Sequence, residues 1–174
     1  RAPILNENTL MIIISQSGET ADTLAALREA KRAGCRVLSV VNVVGSTIAT
    51  ESDDVLYTWA GPEISVASTK AYSTQLAVIY LLALYIGEQL GKFTQEQLSA
   101  YIAALEKLPE QIDEMLKHKE NIQFFASKYF NASDMYFIGR NVDYAASLEA
   151  SLKLKEISYI HSEAYAAGEL KHGP

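Results

Sequence analysis

Leu10-Met11-Ile12-Ile13-Ile14 runs directly into Ser15-Gln16-Ser17-Gly18-Glu19-Thr20, and the junction of these two stretches decides the fold. An unbroken apolar run ending in three isoleucines predicts a strand covered on both faces, the pattern of a parallel sheet. The polar turn that follows contains a glycine and leads into Leu24, Leu27 and Ala30 at helical spacing, with Gly34 placed to end the helix. Strand, turn and helix therefore follow one another within about 25 residues, as in a βα unit.

Working outward, residues 36–41 read as a second buried strand, residues 42–46 as a loop and residues 55–59 as a third strand. Beyond Gly61-Pro62, residues 69–90 form a helical pattern apolar on most sides, which predicts burial. A helix over 95–116 carries Leu98, Ile102, Leu105 and Ile112 as an inward stripe, and Pro109 should kink or split it. From Glu120 the pattern restarts with a helix over 122–130, a strand over 135–138, a turn at Gly139-Arg140-Asn141 and a helix over 143–160. Strands alternating with helices across short turns indicate an α/β fold with a doubly wound parallel sheet. The strand–turn–helix order at 10–34 returns at 134–160, which suggests two related lobes. We place the first, with bridging helices, at 1–119 and the second from 120 to 174.

Bulk composition excludes several function classes. The 174 residues are 49% hydrophobic and 21% charged, enough apolar material for a core and too little charge for intrinsic disorder. A formal net charge of -6 with scattered lysines and arginines argues against a nucleic-acid partner. Cys35 is the single cysteine, so the chain can form no internal disulfide and no thiolate zinc cluster, and a reducing, cytoplasmic setting is expected. The longest apolar stretch, 77–86, is too short to span a bilayer. With no initiator Met and an abrupt stop at Lys171-His172-Gly173-Pro174, the sequence reads as a piece of a longer protein.

Three places carry candidate chemistry. The turn at 15–20 offers hydroxyls from Ser15, Ser17 and Thr20, the Gln16 amide and the N–H groups of a helix N-terminus, with Gly18 allowing close approach. No Lys or Arg lies near the turn in sequence before Arg28, so an anion would be held by neutral donors and the helix dipole, which suits a sugar monophosphate better than a triphosphate. The same residues could equally form an ordinary helix cap. The loop over 63–70 presents Val66, Ser68 and Thr69 either as a polar edge of a ligand site or as the cap of the long helix. In the helix over 143–160, Glu149, Lys153 and Glu156 fall on one strip, between an apolar side of Ala146, Ala150, Ile157 and Ile160 and another of Tyr144, Leu148, Leu152 and Tyr159. Such a strip is either a solvated ion-pair ladder or a proton-transfer pair lining a cavity. Of the histidines, His118 reads as surface, His161 as a helix end and His172 as a loop residue. None has metal-ligand spacing, so neither a metal nor a cofactor is expected.

Ser15-Gln16-Ser17-Gly18-Glu19-Thr20, Val66-Ala67-Ser68-Thr69-Lys70-Ala71-Tyr72, Leu152-Lys153-Leu154-Lys155-Glu156-Ile157 and Gly168-Glu169-Leu170-Lys171-His172-Gly173-Pro174 together resemble the family of isomerizing glutamine–fructose-6-phosphate aminotransferases. The first block is shared across the wider sugar isomerase (SIS) superfamily, and the last is the most specific. Ser65 stands where the family usually has Gly, and Val41 where Cys commonly precedes Asn. The resemblance implies two SIS lobes, both truncated here, each a three-layer αβα arrangement around a parallel sheet, in a homodimer. It implies that Ser15, Gln16, Ser17 and Thr20 bind the phosphate of fructose-6-phosphate and that Val66 and Ser68 touch the sugar. Glu156 would move a proton between C1 and C2, Lys153 would support it, and His172 would assist ring opening. It further implies a glutaminase domain and a Schiff-base lysine elsewhere in the full-length chain, so this piece alone is expected not to make glucosamine-6-phosphate. Another SIS sugar-phosphate isomerase or deglycase, or a sugar-phosphate sensor lobe of a regulator, remains the alternative.

Overall fold

The computed structural model describes residues 3–173, and of these the side chain of His172 lies outside the description. The chain divides into two compact units, residues 1–105 and 106–174.

In the first unit, β1 (Leu10–Ser15), β2 (Arg36–Val41) and β3 (Asp54–Tyr57) form a parallel sheet in the order β1-β2-β3. Leu10 pairs with Arg36, and Leu38 with Asp54. Parallel neighbours need crossovers, supplied by α1 (Ala21–Arg32) and the short α2 (Thr47–Glu51). Both crossovers pack on one face. Ile13, Val37 and Val41 from the sheet meet Leu27 and Ala30 from α1 and Ile48 and Ala49 from α2, and this group is the core. Gly34 follows α1 with φ +79, as a left-handed helix terminus requires.

The second sheet face carries Leu10, Leu38 and Leu56, and α3 (Lys70–Gln89) lies over it. Between them is a cavity of about 710 Å³ lined by these leucines and by Val78, Leu81, Leu82, Tyr85 and Ile86. Helices on both faces make the unit three layers deep. The predicted burial of α3 does not hold, since only Gly87 is buried and Tyr85 is 60% exposed. A helix apolar on most sides needs neighbours on most sides, and the described residues supply few. Ile12 and Ile14 are left half-exposed for the same reason. The helix predicted over 95–116 is split into α4 (Gln95–Glu106) and α5 (Leu108–Leu116), with Pro109 in the first turn of α5, where its missing N–H costs nothing. Of the predicted inward stripe only Leu98 is buried.

In the second unit, α6 (Lys119–Tyr129) precedes β4 (Asp134–Gly139), α7 (Val142–Ser158) and β5 (His161–Ala166), with β4 and β5 parallel. One sequence expectation fails here. His161 does not end a helix; it opens β5, because α7 stops at Ser158 and Tyr159 turns left-handed at φ 60. The two apolar sides of α7 are not covered either: Leu148, Leu152 and Ile157 are 43–70% exposed, and the helix buries only Ser151. What packs on the strands is its small-residue face, where Ser151 and Ser162 bond hydroxyl to hydroxyl at 3.0 Å.

Candidate functional site

The turn after β1 is built by its own hydroxyls. Ser15 ends the strand almost fully buried, and its Oγ accepts the Gly18 N–H at 3.1 Å while lying 3.2 Å from Thr20 Oγ1. Ser17 Oγ accepts the Glu19 N–H at 3.2 Å. These bonds curl the backbone into a nest, and Gly18 takes φ +68 to close it. Among the described residues neither Thr20, the N-cap of α1, nor any other side chain caps that helix. Its first-turn N–H groups thus remain available to a ligand, contrary to what the capping alternative requires.

A floor supports the nest from the β2–α2 connection. The Asn42 N–H donates to the Gln16 carbonyl at 3.1 Å and the Ile48 N–H to the Gly18 carbonyl at 3.0 Å. The packing at Gly18 is tight: a Cβ there would lie 2.0 Å from Ser46 Oγ. That hydroxyl is buried without a hydrogen-bond partner among the described residues. Glu19 turns its carboxylate away along the same floor, accepting the Thr47 N–H at 2.7 Å and the Thr47 hydroxyl at 2.8 Å. These bonds, the backbone one foremost, hold the Glu19 carboxyl below its ordinary range. Sequence reasoning missed Ser46 and Thr47, which only the fold brings beneath the turn.

The second loop is held by its own bonds. Ser68 Oγ accepts the Ala71 N–H at 3.2 Å, so it caps α3 in fact, and its own hydroxyl donates to Glu63. Glu63 also accepts the N–H groups of Ile64 and Ser65, and the Ser68 bond leads the causes that depress its carboxyl pKa. Val66 is 94% exposed. Asn42 ties the end of β2 to the chain beyond β3 through Thr58, Ala60 and Gly61.

In the second unit, α7 brings Glu149, Lys153 and Glu156 together as the helical spacing predicts. Lys153 Nζ lies 2.6 Å from Glu156 Oε2 and 3.6 Å from Glu149 Oε1, with all three side chains 21–28% exposed. The bond to Glu156 is the main cause raising the lysine pKa, so a fixed ammonium bridges two carboxylates. Partial enclosure sets the trio apart from well-solvated surface pairs, such as Lys117–Glu114 at the end of α5, where both partners are over 60% exposed. His172 sits in the short helix Leu170–His172; its side chain, and any role for it, lie outside the described residues. His161 Nδ1 pairs with Asp134 at 2.9 Å at the start of the two strands.

Comparison with known proteins places these features. The SIS domain family profile matches residues 1–85 and 128–174. The chain is 60% identical over 99% of its length to the isomerizing glutamine–fructose-6-phosphate aminotransferase of Caldanaerobacter subterraneus subsp. tengcongensis. It spans only 28% of that relative's length. Among solved structures it superposes on the C-terminal domain of glucosamine-fructose-6-phosphate aminotransferase from Francisella tularensis with TM-score 0.96 and 40% identity, covering all of this chain and 49% of that one. It also matches a glucosamine-6-phosphate deaminase from Thermotoga maritima with TM-score 0.73 and 27% identity, covering 99% of this chain and 50% of that one.

Proposed function

The chain belongs to the SIS domain family, and on that premise we propose that it is part of the isomerase domain of an isomerizing glutamine–fructose-6-phosphate aminotransferase, binding fructose-6-phosphate through the turn at 15–20. The observation that carries the proposal is the Ser15–Thr20 nest, which gathers hydroxyls and N–H groups at the end of a parallel strand with no cation among its residues. Ligands of open α/β sheets sit at that end of the strands.

In this reading Ser15, Gln16, Ser17 and Thr20 hold the phosphate, and Val66 and Ser68 border the sugar. Ser68 meets the sugar while its oxygen also caps α3, which would fix its position. Glu156 moves a proton between C1 and C2 of the substrate, and the Lys153 ammonium beside it fixes the carboxylate's orientation and stabilises negative charge that develops nearby. His172 assists ring opening. The reaction joins fructose-6-phosphate to ammonia released from glutamine by a glutaminase domain of the full-length protein, yielding glucosamine-6-phosphate. A cytoplasmic homodimer is the setting we infer, and among the described residues no helix is long and apolar enough to cross a membrane.

Replacing Glu156 by Gln in the full-length protein tests the assignment. Isomerisation should fall by roughly 10²-fold or more, as loss of a general base does, while sugar-phosphate affinity stays within about twofold. A second arm, Ser17→Ala, should weaken sugar-phosphate binding. Unchanged turnover in the first and unchanged affinity in the second would refute the assignment.

A further inference from the structure

Glu19 poses a problem for any anion site at this turn. It is the one charged residue among positions 15–20, it is negative, and it is exposed. A nest without Lys or Arg has no countercharge to spare, so a free carboxylate at its mouth opposes the binding of a dianion. The fold commits that charge elsewhere. Both Glu19 oxygens are engaged by Thr47, one by its N–H at 2.7 Å and the other by its hydroxyl at 2.8 Å. Two donors from one residue fix the carboxylate plane, whereas a single bond would leave it free to pivot. The partner comes from 28 residues away, across the α1 and β2 segments, so the contact is a tertiary one.

We propose that Thr47 is a positioning residue of the anion-binding turn: its N–H and hydroxyl hold the Glu19 carboxylate away from the nest, so that a sugar phosphate meets neutral donors only. The inference rests on the function proposed above, and it adds a determinant outside the motif that would touch the ligand. Thr47 itself makes no bond to residues 15–18 among the described contacts, so its influence passes through Glu19.

The lowered carboxyl pKa agrees with this geometry, because the anionic form of Glu19 is the one Thr47 stabilises. Ser46 contributes to the same arrangement sterically. Its buried side chain fills the space beneath Gly18 and sets the distance between the turn and the start of α2.

The test uses the full-length protein and fructose-6-phosphate as the probe, with affinity measured by calorimetry at about 20 mM salt and again at about 500 mM, a range over which screening of exposed charges becomes nearly complete. Thr47→Val keeps the N–H and the side-chain shape but removes the hydroxyl. The parent carries the same charge held farther off, so the cost is a difference of two Coulomb energies, and bringing one charge several ångströms nearer a dianion in a water-like medium predicts about threefold weaker binding at low salt. At high salt the deficit should shrink to within twofold. Adding Glu19→Gln to Thr47→Val should restore low-salt affinity to within twofold of the parent, and Thr47→Ser should bind as the parent does. A structural role alone would make the double variant no better than Thr47→Val, at either salt concentration. That result, or unaltered affinity in Thr47→Val, would overturn the proposal while leaving the proposed function intact. Failure of the unsubstituted protein to bind fructose-6-phosphate would instead overturn the proposed function and this inference with it.

Discussion

Replacing Gly18 by Ala tests the architecture of the turn with two separable costs. The backbone there is left-handed, at φ +68, which disfavours an L side chain by about 1–2 kcal/mol. The new Cβ would also stand 2.0 Å from Ser46 Oγ and 2.5 Å from Ser46 Cβ. Both distances are impossible for real atoms, so the turn or α2 must move, and overpacking of this kind costs about 1–3 kcal/mol. The expected total is about 2–5 kcal/mol. The steric part belongs to Ser46 and can be removed there. In a Ser46→Gly background neither contact remains, and Gly18→Ala should then cost only the conformational part, about 1–2 kcal/mol. Ser46→Ala deletes the oxygen but leaves the 2.5 Å contact, so its rescue should be smaller. Alone, Ser46→Ala should not destabilise, because that hydroxyl has no partner and does not cap α2. Urea unfolding followed by tryptophan fluorescence suits the measurement, since the single tryptophan of the chain, Trp59, lies in the same unit. A coupling energy between positions 18 and 46 below about 0.5 kcal/mol would refute the argument, because contacting sites should couple by more.

Other outcomes follow from single contacts. Gly139→Ala places a Cβ 2.3 Å from the backbone carbonyl of Asp143, which cannot rotate away as a side chain could. Unfolding of the second unit should become easier by at least about 3 kcal/mol, the upper end for overpacking, and loss of far-UV helical signal at lower urea would show it. Lys153 has its pKa raised, so its contribution to stability is fully present below the unfolded-state lysine value and is lost as pH rises through the folded-state value. Stability from this group should therefore be flat between about pH 6 and pH 9, and the difference between the parent and Lys153→Met should narrow only above about pH 10.4, the ordinary lysine value. Convergence of the two proteins at neutral pH would contradict the ion-paired ammonium.

The elements legible in the sequence are those whose burial is decided locally. β1, β2 and β4 announce themselves because a strand packed on both faces, or meant to be, must be apolar throughout. The split at Pro109 follows from a missing N–H, a property of one residue. β5 was invisible for the opposite reason. His161-Ser162-Glu163-Ala164-Tyr165-Ala166 has no apolar run, and its one buried residue is Ser162, which is tolerated inside because Ser151 of α7 satisfies it with both hydroxyl and carbonyl. No reading of β-propensity finds a strand whose buried residue is a serine with a partner 11 residues earlier in the chain. The burial predicted for α3 failed differently: an apolar surface states that something should cover it and leaves unstated where that cover comes from.

The same division runs through the site. The residue types for holding a phosphate were readable at 15–20 because donors, glycine and helix start are adjacent in sequence. The Glu149–Lys153–Glu156 trio was readable because helical periodicity alone makes those side chains neighbours. What sequence could not show is why the turn holds its shape, since Asn42, Ser46, Thr47 and Ile48 reach it only once β2 has paired with β1. A motif of this kind specifies what a ligand would touch. The floor beneath it, contributed by the next crossover, decides which of the motif's own groups are free to do so: the Gly18 carbonyl and the Glu19 carboxylate are both engaged there. Loss of the Thr47 hydroxyl should therefore weaken anion binding although Thr47 lies outside 15–20 and nothing about it in the sequence points to an anion.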